Sequence, residues 1–158
     1  MEARREPLKM FGGPGPGNPA EWAGVEARIS AAELYWLVAT PRSGLPPHPR
    51  PVWGVFEEGQ LHLSIGSPTI RRDIDAAPLV AVHLEDALDV VLLEGHVTGQ
   101  CADPTVIAAY DAKYDWVYDL AEYGPLTTIA VDVVMAWVAA GAAGRDGFTR
   151  SGRWRLTS

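Results

Sequence analysis

One cysteine in 158 residues, Cys101, excludes an intrachain disulfide and with it the stapled scaffold of a small secreted domain. Its place near a strand end reads as a small hydrophobe. No apolar run approaches the ~20 residues of a membrane-spanning helix. The N-terminus MEARREPLKMFGGPGPGNP has no apolar signal core, so a cytoplasmic protein is expected. The four histidines, at 48, 62, 83 and 96, lie far apart without close-spaced Cys, His or acid, which argues against a metal site. GxGxxG, P-loop and GxSxG patterns are absent, so Rossmann, NTPase and nucleophile-elbow readings fail. Positive charge is short as well. Lys and Arg number 13 against 20 Asp and Glu, for a net charge of −7, which argues against nucleic acid or an anionic membrane as partner.

What is present fits one soluble domain. At 47% hydrophobic and 21% charged, the composition is that of a globular protein able to bury about two thirds of its unfolded surface. Charge is uneven: Asp73 to Glu122 holds eleven acids against Lys113 alone, while Arg145 to Arg155 holds four arginines against Asp146. Residues 1–17, charged and then rich in Gly and Pro, predict a flexible arm, and residues 18–158 the folded domain. Asn18-Pro19-Ala20-Glu21 has the pattern of a helix start, with Trp22, Val25, Ile29 and Ala32 on one face.

The stretch Tyr35–Ser67, YWLVATPRSGLPPHPRPVWGVFEEGQLHLSIGS, organises the rest. It reads as three strands, Tyr35–Thr40, Pro49–Phe56 and Gln60–Ile65, joined by short Gly/Pro-rich connectors that suit antiparallel neighbours. A short helix from Ser67 or Pro68 follows, with Ile70 and Ile74 facing inward and Pro78 ending it. Then come strands Leu79–Leu84 and Leu88–Thr98. A helix capped by Asp103-Pro104 is expected to run to Ala121, with Val106, Tyr110, Tyr114 and Val117 on one stripe. Ile129–Ala139 and then Phe148–Arg150 with Trp154–Leu156, as a closing pair or a final strand, complete the set. The expected fold is all-β with accessory helices: a six- to seven-stranded antiparallel barrel.

The same stretch resembles the opening strands of the pyridoxamine 5′-phosphate oxidase-like flavin-binding split barrels. The likeness continues through RRDIDAAPLVAVHLED, DVVLLEGHV, AAYDAKYDW and RWRL, roughly Glu33 to Leu156. It implies a homodimer that binds FMN or the deazaflavin coenzyme F420 at the subunit interface and passes hydride to or from a small conjugated or aromatic substrate. No side chain is then required as acid or base, since the cofactor carries the chemistry. By position, Arg50 would face the cofactor's phosphate or ribityl chain, with Val52 and Trp53 beside it. An arginine in an apolar strand otherwise wants an anion or water. The loop from Ser64 and Ile65 to Thr69, Arg71 and Arg72 would hold the phosphate at a helix N-terminus. Trp154 and Arg155 would close over the ligand by stacking and charge. Lys113-Tyr114 matches a pair common in relatives and carries no assigned role beyond helix packing or a lysine beside the cofactor.

The chain also departs from the pattern. Thr69 and Ile70 stand where the family places its phosphate cations, so Ile70→Lys is expected to raise FMN affinity. The count that reaches a substrate-phosphate lysine in the oxidases reaches Val55 here, which argues against pyridoxine phosphate as substrate. A split-barrel dimer that binds a ligand or haem without catalysis is the alternative.

Overall fold

The computed structural model describes residues 1–10, 13–14, 19–42, 44–140 and 147–157. In chain order these form β1 (Glu2–Glu6), β2 (Lys9–Met10), β3 (Gly13–Pro14), α1 (Trp22–Ala31), β4 (Tyr35–Ala39), β5 (Pro49–Glu57), β6 (Gln60–Ser64) and α2 (Pro68–Ala76). There follow β7 (Leu79–His83), β8 (Asp89–Cys101), α3 (Pro104–Tyr114), α4 (Leu120–Tyr123), β9 (Leu126–Ala139) and β10 (Phe148–Thr157). No helix among the described residues is long and apolar enough to cross a membrane.

Period-two burial starts the architecture. In β4 Tyr35, Leu37 and Ala39 are buried while Trp36 and Val38 are half-exposed, so one face of the strand belongs to a core. The Glu58-Gly59 turn, with positive φ at both residues, returns β5 antiparallel onto β6. The strands then pair in the order β9-β6-β5-β4-β7-β8, and β8 pairs back onto β9. This closes a six-stranded antiparallel barrel, with β10 added outside it along β9 and β1 along β10.

Leu37, Leu61, Leu63, Val82, Val91, Leu93, Ile129 and Val134 fill the barrel. Val25 and Ile29 of α1 and Ile70 and Ile74 of α2 join the same core. The Tyr35 hydroxyl, buried among them, donates to the Ile29 carbonyl at 2.7 Å and ties α1 to β4. A second, smaller core lies under α3, where Val55 meets Tyr110, Tyr118 and Leu126.

Three expectations need correction. Residues 2–6 form an edge strand on β10, whereas an arm is predicted there; residues 11, 12 and 15–18 lie outside those described. The Glu6 carboxylate holds this strand, accepting from Arg153 Nε at 3.0 Å and Arg155 Nε at 2.9 Å. The first helix begins at Trp22, and Glu21 makes no side-chain cap. Pro19 and Ala20 instead join Ser151 of β10, Ala20 N–H donating to the Ser151 carbonyl at 3.1 Å. The proposed cap, Asn18, lies outside the described residues.

The third correction is the end of α3, which stops at Tyr114 instead of Ala121. Asp115 adopts a left-handed conformation with φ 47°, and Asp111 accepts from the Tyr118 N–H at 2.8 Å, so the chain turns away and leaves Val117 exposed. The closing segment, open between a pair and one final strand, is the single strand β10, bent by a register shift between Thr149 and Gly152.

Arg153 first, then Arg155, holds the Glu6 carboxyl below its usual range. The stabilisation is therefore present above that range and disappears as pH falls through the lowered value. Glu6→Gln is expected to speed amide exchange at residues 3–5 at neutral pH while leaving the barrel amides protected. Unchanged exchange at those amides would show that the carboxylate does not hold β1.

Candidate functional site

The loop between β6 and α2 is shaped by its own sequence. The Ser67 hydroxyl accepts from the Ile70 N–H at 3.4 Å, and Pro68 occupies the first helical turn, so α2 starts abruptly beyond Gly66. Ile70, fully buried, anchors the helix to the barrel and leaves Arg71 and Arg72 on its outer side. Arg71 Nε donates to the Ile65 carbonyl at 2.6 Å, and its Nη2 reaches the Tyr123 carbonyl at 3.5 Å. A cavity of about 510 Å³ opens there, lined by Ser64, Ile65, Gly66, Arg71, Glu122 and Tyr123. Arg71 has no carboxylate partner among the described residues, although Glu122 lines the same cavity. Thr69 is half-buried, and Arg72 turns back to the Pro68 carbonyl at 3.1 Å.

On β5, Trp53 stands directly opposite Ser64 of β6, which brings it to the same edge as the loop. Its ring is 41% exposed, stacked on Tyr114 at 4.8 Å, with Trp116 set edgewise at 6.2 Å. Tyr114 leads on to Tyr110 at 4.8 Å, Tyr110 to Tyr118 at 4.9 Å and Tyr118 to Tyr123 at 5.6 Å. A continuous aromatic row thus joins Trp53 to the cavity. Tyr118, Glu122 and Tyr123 are not candidates from the sequence. Four tyrosines and a tryptophan between residues 110 and 123 are the signal that could have found them.

Lys113 lies behind this row. Its ammonium donates to the Gly54 carbonyl at 2.9 Å and the Tyr35 hydroxyl at 3.0 Å, and sits over the Tyr35 ring at 4.8 Å. Burial pushes its pKa down to about 8, against the smaller opposing pull of Glu33. It pins Gly54 beside Trp53, and Tyr114 meets the same glycine through Gly54 N–H, which donates to the Tyr114 hydroxyl at 2.9 Å.

The other expected residues are placed differently. Arg50 is exposed and donates to the Pro49 carbonyl, with no carboxylate partner among the described residues. Val52 is buried opposite Tyr35. Trp154 corrects the reading that has it close over a ligand. It is 2% exposed and packs in the core against Trp22, so its ring has no face left for a cofactor. Arg155 is engaged by Glu6. A cleft of about 550 Å³ lies apart from the loop, between Val38, Pro47, Leu79 and Ala81. Glu94 and Asp132 on its walls make it wrong for an anion.

Two outcomes check this placement. Ile70→Lys puts an ammonium in the barrel core, so it is expected to cost about 3 kcal/mol or more and to raise no phosphate affinity. Urea unfolding and an FMN titration measure both, and a stable mutant with improved binding would reverse the assignment. For Lys113, the unfolded chain holds a proton between pH 8 and 10 that the folded chain has released, so stability rises with pH over that window. Melting temperatures of wild type and Lys113→Met across it should converge in slope only if another group is responsible.

No family model matches the sequence, and no curated protein does. Solved structures do match. An F420 reductase is 19% identical, with 67% of this chain and 90% of that one covered and a TM-score of 0.53. A FAD-binding protein from Mesorhizobium loti is 14% identical over 86% of this chain and 96% of its own, with a TM-score of 0.58. A Clostridium acetobutylicum protein of the pyridoxinephosphate oxidase family, related to general stress protein 26, is 10% identical over 75% and 89%, with a TM-score of 0.54. With its closed six-stranded barrel and the two outer strands β10 and β1, the chain has the pyridoxamine 5′-phosphate oxidase-like split-barrel fold.

Proposed function

We propose that this chain is a flavin- or deazaflavin-dependent oxidoreductase, a homodimer with the cofactor at the subunit interface and a small conjugated or aromatic substrate. The observation that carries the reading is Arg71: a guanidinium without a carboxylate partner among the described residues, on the wall of a cavity at the strand-to-helix loop of a split barrel. Arg71 is solvent-exposed with its Nε fixed by the Ile65 carbonyl, and a guanidinium so held favours a phosphate that can accept its remaining N–H groups. The donor set fits a cofactor phosphate through Arg71, the Thr69 hydroxyl and the backbone of Ser64–Gly66, with Trp53 exposed for ring contact. When bound, such a cofactor supplies the hydride chemistry. The protein's part is to anchor the anion, hold the ring against Trp53 and exclude water. Similar folds named F420 reductase and FAD-binding protein support the class of cofactor.

For the dimer, the support is a cross-strand row on the outer barrel face. Trp36, His83, Leu92 and Met135 lie in register, each half-exposed, and the Trp36 and His83 rings are parallel at 6.0 Å. A second copy covering this face would bury apolar surface in a self-complementary contact.

Titration of the purified protein with FMN and with F420 tests the reading, and sedimentation tests the assembly. Arg71→Gln should weaken the bound cofactor about tenfold, the worth of one charge-assisted hydrogen bond. Arg50→Ala reports in the same way on the second arginine. Binding of neither cofactor, or a monomer at micromolar concentration, would sink the proposal.

A further inference from the structure

Arg71 is a wall of two cavities. The second, of about 390 Å³, lies between α2, the end of β8 and the start of β9, and it too is lined by Arg71. Ile74, Val97 and Pro125 give it apolar sides. Gln100 and Thr127, paired directly across β8 and β9, give it an amide and a hydroxyl. Neither side chain makes a hydrogen bond among the described residues, although Thr127 is only 8% exposed. The β8 register shift between Val97 and Gly99 shapes this end of the strand, and Gly99 meets no atom within 4 Å of where a Cβ would stand.

We propose that the two cavities form one bipartite site for a dinucleotide. Arg71 pairs with a diphosphate, and the second cavity receives the nucleoside, its flat base against Ile74, Val97 and Pro125 and its polar edge on Gln100 and Thr127. The chemistry on each side of Arg71 supports this occupant. Apolar walls with a few fixed polar groups suit a neutral heteroaromatic ring. Asp75 on the second cavity and Glu122 on the first repel a polycarboxylate tail, so a dinucleotide flavin is favoured over a long-tailed deazaflavin. An amide and a hydroxyl that lose water without a partner would weaken binding, so they require a ligand edge that hydrogen-bonds.

The inference rests on the flavin reading for the first cavity alone, and the test separates the two. Calorimetry on the full chain uses FMN, FAD and ADP as probes. FAD is expected to bind about tenfold or more tighter than FMN, and ADP to bind by itself. Gln100→Ala, at an exposed position, and Thr127→Val should weaken FAD and ADP and leave FMN unchanged, while Arg71→Gln weakens all three. FAD no tighter than FMN, no binding of ADP, or FAD affinity untouched by both cavity variants would overturn the bipartite site. ADP binding that responds to both variants, with neither flavin bound, would uphold the nucleoside cavity and remove the flavin reading.

Discussion

Everything else in the molecule depends on β9 being shared among three strands. One edge pairs with β8 from Leu126 to Val138; the other is divided, with Thr127–Ala130 on β6 and Val133–Ala139 on β10. Because β6 is only five residues long, it cannot satisfy the backbone of a 14-residue strand, and the remaining N–H and C=O groups need another partner. β10 supplies it. The change of partner falls at Val131–Val133, where β9 carries one residue more than β8, and Asp132 is the surplus residue. Gly95 is required at this point, since a Cβ there would strike the Ala130 carbonyl. The bulge turns Asp132 outward, where it meets His96 Nδ1 at 2.8 Å. Barrel closure, the position of β10 and the place of β1 all follow from this division.

Strands were legible wherever burial alternates, because a period of two leaves its mark in local sequence. The meander from Tyr35 to Ser64 agrees with its predicted bounds to within a residue. What was not legible depends on partners far along the chain. Glu2–Glu6 has four charged side chains in five residues and no apolar period, and it becomes a strand through pairing with β10, some 147 residues away, where Arg153 and Arg155 meet Glu6 and Arg5 meets the Ser151 carbonyl. Pro19 and Ala20 have good helix-start chemistry, yet Ser151 takes their backbone first. Tertiary pairing outweighs a cap worth about 1 kcal/mol.

The candidate site was half legible. Ser67-Pro68 announces a helix start, and that places the loop, Arg71 and Ser64 correctly beside one another. Likeness to the family pattern located position 70 but not its direction, and the helical period from Ile70 to Ile74 is what sends it into the core. Trp154 shows the same lesson on a strand. In Arg153-Trp154-Arg155-Leu156 the alternation places Trp154 with Leu156, and both are buried, while the two arginines share the face of Glu6. Local periodicity there was a better guide than likeness to relatives. The aromatic row from Trp53 to Tyr123 was unreadable for another reason: it crosses from a strand to two helices, and no single period describes it.

Electrostatics sets the manner in which Arg71 can work. The chain carries a net charge of −7, and the guanidinium faces cavities that also contain Glu122 and Asp75. An anionic ligand is therefore repelled at long range and attracted only when it reaches the guanidinium itself. Beyond a separation of about 8 Å the repulsion is screened at physiological ionic strength, whereas contact hydrogen bonds are not. Selection at such a site comes from geometry: an anion must offer oxygens to Arg71 while keeping its remaining charge away from both carboxylates. A phosphate whose neighbouring groups are neutral rings and sugars meets that condition, and a polycarboxylate does not.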